Sequence, residues 1–117
     1  MLFMLMGRLT QQSLRTFVEN PIDRSGPAAE SIAACGGKLQ QMYQTAEGVT
    51  IIILEAPNAE VLTAVSVSIQ AINRLDDIRI HRLQTTAEFA EGCRRAQPMR
   101  NVQQFPQQPR SGVVTPI

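Results

Sequence analysis

Hydrophobic side chains in this chain fall into short dense runs, separated by stretches with helical spacing. The first run, Leu2 to Leu9, is short and apolar and is closed by Gly7 and Arg8, which suits a buried strand. Thr10 follows as an N-cap, its hydroxyl able to accept from an orphan amide of the next turn. Gln11 to Val18 then places Leu14, Phe17 and Val18 on one helical face, until Asn20-Pro21 interrupts it. A second helical segment is predicted from Ser25 to Cys35, with Pro27 in its first turn, Ala28, Ile32 and Cys35 on one face, and Gly36-Gly37 as terminator.

The middle of the chain reads as a hairpin. Lys38 to Thr45 alternates, with Leu39, Gln41 and Tyr43 on one face and Met42 on the other. Ala46-Glu47-Gly48 turns, and Val49 to Ala56 is the strongest strand, β-branched from Val49 through Ile53. Pro57 stops it and Asn58 caps a helix from Ala59 to Arg74, whose Leu62, Val65, Ile69 and Ile72 form one apolar stripe. Asp76-Asp77 turns into a last strand, Ile78 to Thr85, and a short helix covers Thr86 to Ala96, with Phe89 and Cys93 four apart. Residues 97–117 hold four prolines among many glutamines, a composition that buries no core and predicts disorder.

This order of elements is the ferredoxin-like, split βαβ pattern. It predicts an α+β domain over residues 1–96, βαββαβ, with a four-stranded antiparallel sheet, two main helices on one face and a short C-terminal helix. The first and third strands carry apolar residues at consecutive positions, so both of their faces are apolar, whereas a half-exposed strand would alternate. A second copy of the chain is the simplest cover for the open face, and a homo-oligomer, most simply a dimer, is expected.

Composition narrows the function. Eleven basic and 10 acidic residues give a net charge of +1, too little field to favour nucleic acid. The 4% aromatic content and the absence of aromatics on the third strand also argue against a base-stacking sheet. Met1 to Met6 lacks the basic leader and cleavage site of a signal peptide. No window reaches the ~18 apolar residues of a membrane span. A bacterial cytoplasmic protein with two free thiols, Cys35 and Cys93, is expected, without a membrane partner. One histidine and two remote cysteines give no metal-ligand spacing, and no Gly-rich loop follows a strand, so no metal or cofactor is expected.

The residues from Phe3 to Gly92 resemble the GYD-domain family, of the dimeric α/β-barrel type. The resemblance rests on Leu9-Thr10, Pro21 with Arg24, Gly36-Gly37-Lys38, Tyr43 and Glu55-Ala56-Pro57, with a looser fit at Arg82-Leu83 and Glu88-Phe89. It implies the ferredoxin-like fold and carries no established activity. The family's eponymous glycine, tyrosine and aspartate fall, counting back from Glu55, on Ala46, Gly48 and Val49, so that motif is not retained.

Six residues remain as site candidates. His81, the only histidine, is a possible general base, and Glu55, ending an apolar run, a possible desolvated acid. For each the plainer reading is a surface residue: a sheet-surface histidine and a strand-end carboxylate. Tyr43 offers a hydroxyl to a ligand, or packs. Arg8 and Arg79, with Arg82, lie on neighbouring strands and would hold an anion, or form edge charges and ion pairs. Two functions follow. One is a non-enzymatic, self-associating domain that takes a small apolar or weakly anionic ligand between sheets. The other is a cofactor-free enzyme resembling small dimeric α/β-barrel monooxygenases, with His81 or Glu55 as base. A cavity lined by either group would favour the second.

Removing residues 97–117 is expected to shift the melting temperature by less than about 4 °C, the change that ~1 kcal/mol produces in a domain this size. Calorimetry of the two chains checks it.

Overall fold

In the computed structural model, which describes residues 1–102, the eight residues Leu2–Leu9 form strand β1. Every second side chain from Phe3 points to one face, so Phe3, Leu5 and Gly7 are buried while Met4 and Met6 stay half-buried. Helix α1 (Gln11–Glu19) follows at once, because Thr10 Oγ1 accepts from the Ser13 amide at 3.1 Å. Helix α2 (Ser25–Ala34) ends at Cys35, where Gly36 takes a left-handed φ of +95° that a Cβ would oppose. Strands β2 (Lys38–Gln44) and β3 (Val49–Glu55) are joined by a turn closed at Gly48, also left-handed at +89°. Helix α3 (Ala59–Ala71) is capped by Asn58, whose Oδ1 accepts from the Val61 amide at 3.0 Å. Strand β4 is Leu75–Leu83.

The four strands form one sheet in the order β2-β3-β1-β4, antiparallel throughout, which is the ferredoxin-like arrangement. The core lies on one side of it. Phe3, Leu5, Ile52 and Leu54 from the central strands meet Ile32 of α2 and Val65 of α3 there. Residues 1–83 make one compact unit, and a second unit begins at Gln84. Taken by itself, that unit carries α4 (Thr86–Ala96), which opens on a reciprocal cap. Thr85 Oγ1 accepts from the Glu88 amide, and Glu88 Oε1 accepts from the Thr85 amide. One further turn, α5, spans Met99–Val102, and the rest of the expected disordered tail lies outside the described residues.

Three sequence expectations need correction. Leu14 and Val18 are exposed rather than buried; the inward side of α1 is Ser13, with Phe17 half-buried four residues on. Hydrogen bonds fix that choice. Thr10 Oγ1 donates to the Asn73 carbonyl at 2.8 Å, and Ser13 Oγ donates to the Arg74 carbonyl at 2.9 Å. In β2, Leu39 shares a face with Met42, not with Tyr43. Leu39 pairs with Leu54 but Gln41 pairs with Ile53, so Gln40 is an extra residue that flips the alternation. Finally, Asp76-Asp77 is not a turn before β4 but lies within it. Leu75 and Asp76 pair with Leu9 and Arg8, and the irregularity is absorbed next to Asp77 at φ +52°. Gly7 makes this possible, because a Cβ there would stand 2.9 Å from the Leu75 side chain.

Ile52 is 4% exposed in the middle of the core. Ile52→Asp is expected to unfold the domain, since an unpaired buried carboxylate costs several kcal/mol against a typical 5–15 kcal/mol of stability. Loss of the cooperative melting transition in circular dichroism checks it.

Candidate functional site

Three helices stand over the sheet's inner face, and several of their facing side chains are small. Ser13 of α1, Ala28, Ser31 and Ala34 of α2, and Ser68 of α3 all lie on the inward-facing surfaces. Such residues cannot fill the space between helix and sheet as leucines would. The result is an apolar cavity of about 460 Å³ in residues 1–83, within the size range of small-molecule sites. Its floor is Met42 of β2 with Thr50 and Ile52 of β3, and Leu9 and Leu75 close one end. Phe17, Ile69 and Ile72 complete the apolar wall, with the Cys35 thiol beside them.

The polar groups around the cavity are largely engaged with the protein. Thr50 Oγ1 donates to Gln44 Oε1 at 2.7 Å, Ser68 Oγ to the Val65 carbonyl at 2.9 Å, and Ser13 Oγ to the Arg74 carbonyl. Arg24 differs. Its guanidinium carbon lies 4.8 Å from the Phe17 ring centroid, a cation–π contact, and its Nη2 donates to the Asn20 carbonyl at 3.3 Å. Its Nε is buried without a hydrogen-bond partner, the one such side-chain atom among the described residues. Asp23, its neighbour in sequence, is occupied elsewhere. The Ser25 amide donates to Asp23 Oδ1 at 2.9 Å and, with the Ser25 side chain, holds that exposed carboxyl below its usual range. This hydrogen bond favours the turn above the ordinary carboxylate range and is lost as the pH falls through the lowered value.

None of the sequence-derived candidates lines this cavity. Tyr43, Arg79 and His81 lie on the opposite, outer face of the sheet. There Tyr43 pairs with Ile51, Arg79 with Met6 and His81 with Met4, and all three are exposed. Tyr43 does not pack; its hydroxyl donates to Gln41 Oε1 at 2.7 Å. Glu55 ends β3 exposed and opposite Lys38 and Leu2, so it is not desolvated. Arg8 pairs with Val49 and Asp76 on the outer face, while Arg82 pairs with Phe3. Among the described residues these arginines form no ion pair; the salt bridges there join Glu91 to Arg94 and Arg95 within α4. Among the described residues no cluster of three His, Cys, Asp or Glu is placed to share a metal ion, and no helix is long and apolar enough to cross a membrane.

The residues that do line the cavity were hidden because they come from seven elements, all four strands and the three helices of residues 1–83. One signal was present: Thr50 is the lone polar side chain inside an otherwise apolar strand, and it lies on the cavity floor.

The outer face has its own character. Met4, Met6, Ile51 and Ile53 form a half-buried apolar strip along the two central strands. No element of residues 1–83 packs on it, since α1, α2 and α3 lie against the inner face. Around it stand Lys38, Arg8 and Arg79 on one side of the charge balance and Glu55 on the other. The GYD domain family model matches residues 3–92 of the chain. Among curated proteins none matches.

Proposed function

We propose that this chain, which belongs to the GYD domain family, is a small-ligand-binding protein that works as a homodimer and carries out no chemistry of its own. The observation that carries this reading is the apolar cavity of about 460 Å³ between the sheet and its three helices. Ile72 of its lining is 60% exposed, apolar surface that a bound ligand would cover. The lining also supports binding over catalysis. It contains no carboxylate and no imidazole, so the groups that most often move protons near neutral pH are missing from it. His81 and Glu55 lie outside it.

Dimerisation is supported by the outer face. An apolar strip on two central strands, with charges of both signs around it, can meet its own copy across a two-fold axis, apolar strip on apolar strip and Lys38 or Arg79 near Glu55. Sedimentation at micromolar concentration is expected to give a dimer. Ile53→Asp, which changes the outer face alone, is expected to yield a folded monomer. A wild-type monomer would remove the dimer from the proposal and leave the cavity untouched.

Cys35 lines the cavity and is half-buried, whereas Cys93 is exposed on α4, and both are free thiols. Small apolar molecules that occupy the cavity are expected to slow alkylation of Cys35 by iodoacetamide several-fold and to leave Cys93 unchanged, as read by mass spectrometry of the two peptides. A Cys35 rate left unchanged by every ligand in a diverse apolar set would overturn the binding reading.

A further inference from the structure

We propose that the cavity selects amphipathic monoanions, an apolar body carrying one carboxylate, and that Arg24 is the residue that holds the charge. This rests on the ligand-binding reading and adds the chemical class. Two observations point to it. First, the ionised side chains lining the cavity are Arg24 and Arg74, with no acidic residue among them, so the apolar space has a positive margin and no internal counter-charge. Second, Arg24 is placed as a receptor and not as half of an ion pair. It lies in no salt bridge among the described residues. A guanidinium that lines an apolar cavity and has no acidic partner in the protein is left to pair with a ligand, and a carboxylate is the partner whose geometry fits it.

The surroundings fix the guanidinium before any ligand arrives. The Phe17 ring lies at 4.8 Å and the Asn20 carbonyl takes Nη2, so the charge is held at the cavity wall with little rotamer freedom left to lose. The Asp23–Ser25 turn anchors the backbone on its other side. The floor and far walls, Met42, Ile52, Val65 and Ile69, offer only apolar contact. A ligand with its carboxylate at Arg24 therefore points its apolar end toward the core. A neutral ligand gains the same apolar contact and no pairing with the guanidinium charge. A dianion would have to bury a second charge against apolar walls.

The test uses the full chain and a matched pair of probes, phenylbutyrate and phenylbutanol, titrated by calorimetry. The acid is expected to bind one per chain and at least about tenfold more tightly than the alcohol, the discrimination a charge-assisted hydrogen bond supplies. In Arg24→Gln that preference is expected to vanish, with acid affinity falling about tenfold more than alcohol affinity. Arg24→Lys, which keeps the charge but loses the planar fork, should restore part of it. Melting temperatures of the variants show whether they fold. If Arg24 only braces Phe17 and Asn20, Arg24→Gln lowers the melting temperature and leaves the acid-to-alcohol ratio where it was, which overturns the assignment. Equal wild-type binding of both probes overturns the anion class and keeps the cavity as an apolar site. Binding of neither probe, together with no protection of Cys35 by any apolar ligand, removes the ligand-binding reading itself.

Discussion

Leu5 of β1 lies between Ile52 of β3 and Ile80 of β4, fully buried, and every face in the domain is assigned through that register. A strand whose two faces differ in polarity reports its own register, because a one-residue slip would put polar groups in the core. β1 and β3 lack that safeguard: Phe3, Leu5, Ile52 and Leu54 face inward, but Met4, Met6, Ile51 and Ile53 are equally apolar and face outward. The register is fixed by other means. The β2–β3 turn is held by Thr45 and Val49 backbone bonds and by Gly48 in the left-handed region. Gly7 can face only inward, because the Leu75 side chain occupies the space a Cβ would take. The end of β3 is tied to the start of the chain, the Ala56 amide donating to the Met1 carbonyl at 2.9 Å.

The same arrangement explains which parts of the molecule the sequence announces. Strong local signals survive folding: the β-branched run of β3, the Thr10 and Asn58 caps, and the glycine pair after α2 all act within a few residues of themselves. The failures share a different cause. Leu14 and Val18 form the better apolar stripe of α1, yet the helix turns Ser13 inward, because two hydroxyls reach carbonyls more than sixty residues away. Gln40 looks like any strand residue, and only its pairing partner makes it a bulge. Leu75 belongs to β4 because Gly7 admits it, a fact written at the other end of the domain. Each is a long-range contact overruling a local preference.

The cavity was illegible for the same reason. A void is a property of several surfaces at once, and no one segment carries its signature. The alanines and serines of α2 read as ordinary helix formers until α1, α3 and the strand floor are placed opposite them. Site candidates chosen for their chemistry, His81, Glu55 and Tyr43, were exposed on the outer face or at a strand end. The residues that line the cavity were small, apolar, or, like Arg24, marked in the sequence only as part of the family resemblance.

Because β3 alternates, its two faces make separable demands. Thr50 and Ile52 belong to the cavity and core, Ile51 and Ile53 to the outer strip, one residue apart along one strand. A ligand filling the inner side would stabilise the fold by mass action, about 2.7 kcal/mol at a hundredfold excess over the dissociation constant. A second copy on the outer side would act by the same law, with protomer concentration in place of ligand. The two gains share the β3 backbone and so reinforce one another only as far as that strand is loose without them. With Leu54 fully buried and Ile52 nearly so, the strand is already held by its core contacts. Ligand and partner are therefore expected to stabilise the domain additively, each through its own face of the sheet.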